Sequence, residues 1–117
     1  MGVCFRFYEV PSEKKEEYDN LLKISIEDYD LVVWLEKYTT VKDVCLRISY
    51  SSMGELTEWI NDNTKNLYMP DADVFYEIEK TEKAKQEFLD LYWIKENWIN
   101  PTDIWHVDTF LIVLKSY

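Results

Sequence analysis

Apolar and polar residues alternate with period two in several stretches of the chain, and the segments between them carry apolar residues at helical spacing. Over residues 3–10, Val3, Phe5 and Phe7 fall on one side, with Cys4, Arg6 and Tyr8 on the other. This is a strand pattern, and Pro11 with Ser12 ends it. Residues 13–24 then read as a helix that turns Tyr18, Leu21 and Leu22 inward. Ser25-Ile26-Glu27-Asp28 has the form of a capping box, and a second helix is expected to run to Lys37 or Tyr38 with Ile26, Tyr29, Val32 and Val33 on one face. The apolar run 31–35 also fits a buried strand, and helix is the preferred reading.

Residues 44–50 alternate again, and Ser52-Met53-Gly54-Glu55 forms a capping box that opens a helix striped by Met53, Leu56, Trp59 and Ile60. Asn61, Asp62 and Asn63 end it, and a loop through Pro70 is expected to follow. Val74, Tyr76 and Ile78 mark a third strand. Thr81 is placed to cap a helix over 82–96, with Ala84, Phe88, Leu91, Tyr92 and Lys95 on one stripe. The last strand, 105–115, is apolar on both faces from Phe110 to Leu114, the pattern of a strand covered on both sides. Arg6 and Glu9 place the first strand nearer an edge. The order β-α-α-β-α-β-α-β predicts a single α+β domain over 1–117. It would have about four strands in one mixed or antiparallel sheet, and three to four helices packed on it.

Composition agrees with a packed core. Of 117 residues, 47% are hydrophobic and 16% aromatic, including 5 Trp and 9 Tyr, so disorder is not expected. The longest apolar runs are far shorter than the ~20 residues a spanning helix needs, and the first residues lack the basic-then-apolar pattern of a secretory leader. Gly2 follows Met1, but Arg6 stands where a myristoylation site needs Ser or Thr. Cys4 and Cys45 lie in apolar stretches and read as reduced, buried thiols, so a cytoplasmic location is expected.

Net charge is −10, from 23 acidic and 13 basic side chains. That balance disfavours direct nucleic-acid binding, which needs a basic footprint, and an anionic membrane surface for the same reason. It is compatible with a basic protein partner.

Few patterns carry chemistry. Gly2 and Gly54 are the only glycines, so no glycine-rich phosphate loop can be built. His106 is the only histidine, and no pair of histidines or cysteines has ligand spacing, so no metal and no cofactor is expected. Residues 62–73 begin like a calcium loop, but Leu67 stands where glycine is required and Asp73 where a bidentate Glu is required, so the segment reads as a solvated loop. A Cys-His pair is formally available with Cys4 or Cys45 and His106, but neither cysteine has a setting that would lower its pKa. Glu77 and Glu79 share one strand face and read as solvent-facing. No residue is assigned a catalytic role.

Surface character remains. The segment 13–30 holds Glu13, Glu16, Glu17, Asp19, Glu27, Asp28 and Asp30 against Lys14, Lys15 and Lys23. Such a face can steer a basic partner. Trp93 and Trp98 fall off the helix stripe, and tryptophan is enriched in contact hot spots. The profile is short, acidic, rich in aromatics and poor in glycine. In composition it is similar to that of bacterial immunity proteins and phage-encoded inhibitors. That resemblance implies a protein that occludes a basic active site, such as that of a toxin or nuclease. The acids at 13, 16, 17, 19, 27, 28 and 30, with Trp93 and Trp98, are then the expected contact residues. The alternatives are a small-molecule module or small enzyme with a pocket near His106, and a homodimeric structural subunit.

Overall fold

The computed structural model describes residues 2–41, 45–49, 54–91 and 105–116. Its elements are β1 (Gly2–Pro11), a 3-10 turn (Ser12–Lys14), α1 (Lys15–Lys23), α2 (Asp28–Tyr38), β2 (Cys45–Ser49), α3 (Gly54–Asn63), β3 (Thr64–Tyr68), β4 (Val74–Ile78), α4 (Glu82–Leu89) and β5 (Thr109–Ser116). The strands form one sheet in the order β2-β1-β5-β4-β3, every pairing antiparallel. The α+β class therefore holds. Ser52, Tyr92 and Lys95 lie outside the described residues.

β5 is the middle strand, as its two apolar faces require. Phe110, Ile112 and Leu114 point to one layer, with Leu111 and Val113 pointing to the other. α1 and α2 cover the first face through Tyr18, Leu31 and Leu35, which meet Tyr8, Val10 and Phe75. α3 and α4 cover the second through Leu56, Trp59, Ile60, Ala84 and Phe88, which meet Val3, Phe5 and Phe7. Phe88 packs against Phe7, Trp59 and Trp105 with ring centroids 5.7, 4.9 and 6.0 Å apart. Trp59 Nε1 donates to the Ala84 carbonyl at 3.0 Å, which satisfies the indole inside the core and ties α3 to α4.

β1 lies between the edge strand β2 and the central β5, nearer an edge as expected; Glu9 is accommodated there because its charge is paired. Three expectations are corrected. α2 is a helix, but its core stripe is Leu31 and Leu35, while Tyr29 and Val33 are exposed at 76% and 47%. Its N-cap is Glu27, with no side-chain hydrogen bond, and Ser25 sits at φ 56°. The start of the expected loop is a fifth strand, β3, at the sheet edge. Asn63 Nδ2 and Thr64 Oγ1 donate to the Trp59 and Ile60 carbonyls, closing α3 so that the chain passes directly into β3. Residues 62–66 are thus helix end and strand, not an ion-binding loop. A register shift between Thr64 and Asn66, with exposed Lys65, blunts this edge against further pairing. Finally, β5 begins at Thr109, after a turn at Val107–Asp108. The Thr81 cap forms as expected, Ala84 N donating to Thr81 Oγ1 at 3.0 Å.

Candidate functional site

Two regions hold polar groups in arrangements that a core does not need. The first is the outer side of the α1–α2 layer. Helical spacing in α1 buries Tyr18 and leaves Glu16 and Glu17 outside. Glu13, Glu16 and Glu17, with Asn20, Leu21 and Ile24, line a shallow cleft of about 440 Å³. Glu17 also accepts a hydrogen bond from Trp34 Nε1 at 3.2 Å, which fixes it to α2. A second cleft, of about 620 Å³, begins at the next residue. It is lined by Ser25, Ile26, Glu27, Asp28, Tyr29, Tyr68, Pro70 and Asp71. Ile24 and Tyr29 are 72% and 76% exposed beside these acids. The Tyr68 hydroxyl donates to the Ile26 carbonyl at 2.8 Å and locks the β3–β4 turn against the start of α2.

Asp28 differs from its neighbours. Burial pushes its carboxyl up from the ordinary 3.8, and the charges of Asp73 and Asp71 add to this; a backbone hydrogen bond from Asp73 pulls the other way. Its Oδ1 is screened from solvent and has no hydrogen-bond partner among the described residues.

The structure thus brings Glu13, Glu16 and Glu17 into one cleft and Glu27 and Asp28 into the next. Asp19 lines neither and pairs with Lys15. Asp30 is exposed on α2 and lines neither cleft. Trp93 and Trp98 lie outside the described residues. Sequence reasoning misses Tyr29, Tyr68 and Asp71 as cleft residues. The exposure of Tyr29 has a readable sign: it falls three residues before Val32 but off the Leu31–Leu35 stripe.

The second region is a charged node on the α3–α4 face. Glu9 continues the Val3-Phe5-Phe7 side of β1 and is fully buried. Lys80 Nζ donates to Glu9 Oε2 at 2.6 Å. The His106 backbone N lies 3.0 Å from both carboxylate oxygens, and His106 Nδ1 lies 2.7 Å from Oε1. A carboxylate accepts, so this contact places the ring proton on Nδ1. Thr109 Oγ1 lies 3.1 Å from Oε2 and 2.9 Å from the His106 carbonyl. Lys80 also donates to that carbonyl at 2.7 Å and sits 5.5 Å from the Trp105 ring centroid. The backbone around His106 is strained, with Trp105 at φ 71° and Asp108 at φ 58°. The Glu9 carboxylate is saturated, so the node anchors the segment entering β5.

The remaining chemical pairings dissolve. Cys4 pairs across β1 with Ser116, at the opposite end of the strand from Glu9 and His106. Glu77 is buried on the α1–α2 face, 3.1 Å from Lys15 and 4.0 Å from Lys65, whereas Glu79 lies exposed beyond the strand end. The expectation of a shared solvent face is therefore corrected. Lys15 loses solvation there, which would lower its pKa, but its bonds to Asp19 and Glu77 outweigh this and hold it above 10.5. Among the described residues no group of three or more His, Cys, Asp or Glu is placed to hold a metal ion, and no helix is long and apolar enough to cross a membrane. Comparison with protein-family models, with curated proteins and with solved structures finds no match to this chain.

Proposed function

We propose that this chain is an acidic binding protein that blocks a basic protein partner, such as a toxin or nuclease, through its α1–α2 layer. The observation that carries the reading is the pair of adjoining clefts in that layer. Both are lined by carboxylates, and among the described residues neither has a basic side chain in its lining, although Glu17 lies 3.5 Å from Lys14 at the margin. Exposed Ile24 and Tyr29 add apolar contact area within the acidic rim. That combination, aromatic anchor and charged surround, is how interfaces divide affinity from steering. The net charge of −10 extends the same field over the whole molecule.

The test is association kinetics against a panel of basic nucleases, at low and high salt. For a nuclease that is bound and inhibited, the association rate is expected to fall by an order of magnitude or more as salt rises. Replacing Glu13, Glu16 and Glu17 together by Gln is expected to slow association about tenfold at low salt while leaving dissociation nearly unchanged. Binding that ignores both salt and these substitutions would remove this reading.

A further inference from the structure

We infer that residues 105–108 form a latched strap, a device separate from the α1–α2 layer: the segment lifts as a unit while the sheet stays paired, and the Glu9 carboxylate is its latch. The strap is strained at both ends, with Trp105 at φ 71° and Asp108 at φ 58°. Left-handed backbone is disfavoured for any residue but glycine, and most for a bulky one such as Trp. Such strain persists only while other contacts hold it. Here they come from the inner side alone. Glu9 is fully buried, and its carboxylate lies 3.0 Å from the His106 backbone N and 3.1 Å from Thr109 Oγ1. Lys80 Nζ donates to the His106 carbonyl and to Thr109 Oγ1, at 2.7 Å each. On the outer side residues 106–108 are exposed.

Lifting the strap relieves both strained residues and gives up polar contacts that water can replace. Glu9 is not stranded when the strap leaves, because Lys80 Nζ stays 2.6 Å from it. The pairing of β5 with β1 from Phe110 onward is untouched. Such an opening is sub-global and far cheaper than unfolding the sheet. It also withdraws Trp105 from Trp59 and Phe88, whose ring centroids lie 6.3 and 6.0 Å away. The latch therefore controls access of solvent to one end of the α3–α4 aromatic cluster. Two amides report closure: His106 N–H, which donates to Glu9, and Ser12 N–H, which donates to the Asp108 carbonyl at 2.8 Å. They lie on separate segments and share only the closed strap.

The experiment is amide-resolved hydrogen exchange by NMR in rising, sub-denaturing guanidinium chloride. The amides of Ser12 and His106 are expected to exchange at one shared opening equilibrium that hardly responds to denaturant. Those of residues 111–113 are expected to respond steeply, because they need global unfolding. Asp108→Val puts a β-branched residue into the left-handed conformation at an exposed position, and is expected to raise the flat Ser12 and His106 rates about tenfold. Thr109→Val keeps the side-chain shape and the Glu9–Lys80 pair while removing the hydroxyl, and is expected to raise them severalfold. If the two amides of the parent protein follow the same steep denaturant dependence as residues 111–113, the strap is part of the global unit and the inference falls. Ser12 and His106 opening at unrelated rates would overturn motion as a unit. Unchanged rates in both variants would overturn the roles given to strain and latch.

Discussion

Glu9 and Asp28 are acidic side chains in opposite settings: Glu9 is fully buried, whereas Asp28 is partly exposed. Glu9 sits on the α3–α4 face of the sheet with every carboxylate oxygen occupied by Lys80, Thr109 or His106. Asp28 sits on the α1–α2 side with a backbone hydrogen bond from Asp73, like charges from Asp71 and Asp73 nearby, and no partner for Oδ1 among the described residues. A buried charge that is fully partnered holds chain segments together, whereas a partly exposed one keeps solvent within reach. The comparison separates an acid that builds this fold from one that stays open to solvent.

Breaking the Glu9 node has the largest expected effect. Glu9→Gln leaves Lys80, whose side chain is only 13% exposed, without its counter-charge. The expected loss is about 3–5 kcal/mol of unfolding free energy, read by urea denaturation. His106→Ala is milder, since the backbone N of residue 106 keeps its contact with Glu9. Its ring is 41% exposed, and about 1 kcal/mol is expected. A loss as large as that of Glu9→Gln would move the centre of the node to the imidazole.

Asp28→Asn has the smallest expected effect on stability, and in the reverse direction. The folded-state pKa of Asp28 lies above its unfolded value, so the native state holds the proton more tightly. Its contribution is present at low pH and is lost as pH rises from below 3.8 through the folded pKa. The variant is expected to match or slightly exceed the parent in melting temperature at neutral pH and to flatten the curve across that acidic window. Thermal scans at several pH values check this. A clear destabilisation at neutral pH would give Asp28 a structural role like that of Glu9.

The elements with strong periodicity are legible in the chain itself. Phe110–Leu114 reads as a strand covered on both faces, and the Leu56–Trp59–Ile60 and Ala84–Phe88 stripes announce α3 and α4. β3 is not legible, because an edge strand buries little; Thr64-Lys65-Asn66-Leu67 therefore carries no alternation to read. The stripe of α2 is ambiguous because the run 31–35 is apolar at every position, and only packing shows that Leu31 and Leu35 face the core. The acids at 13, 16, 17, 27 and 28 are legible as a face. That Asp71 and Tyr68 close a cleft with two of them is not, since it depends on the β3–β4 turn meeting the start of α2 across 42 residues of chain. Glu9 is misleading because a lone acid in a strand resembles a solvent-facing position, and its partners Lys80 and His106 are remote in sequence.

Hydrogen exchange of this protein alone and in the presence of a basic nuclease, the partner class proposed above, measures both regions at once. Added protection is expected across residues 15–29 and 68–71, with the amides of 105–109 unchanged. Protection gained at 105–109, with the α1–α2 layer exchanging as it does in the free protein, would contradict the assignment of the partner surface to that layer.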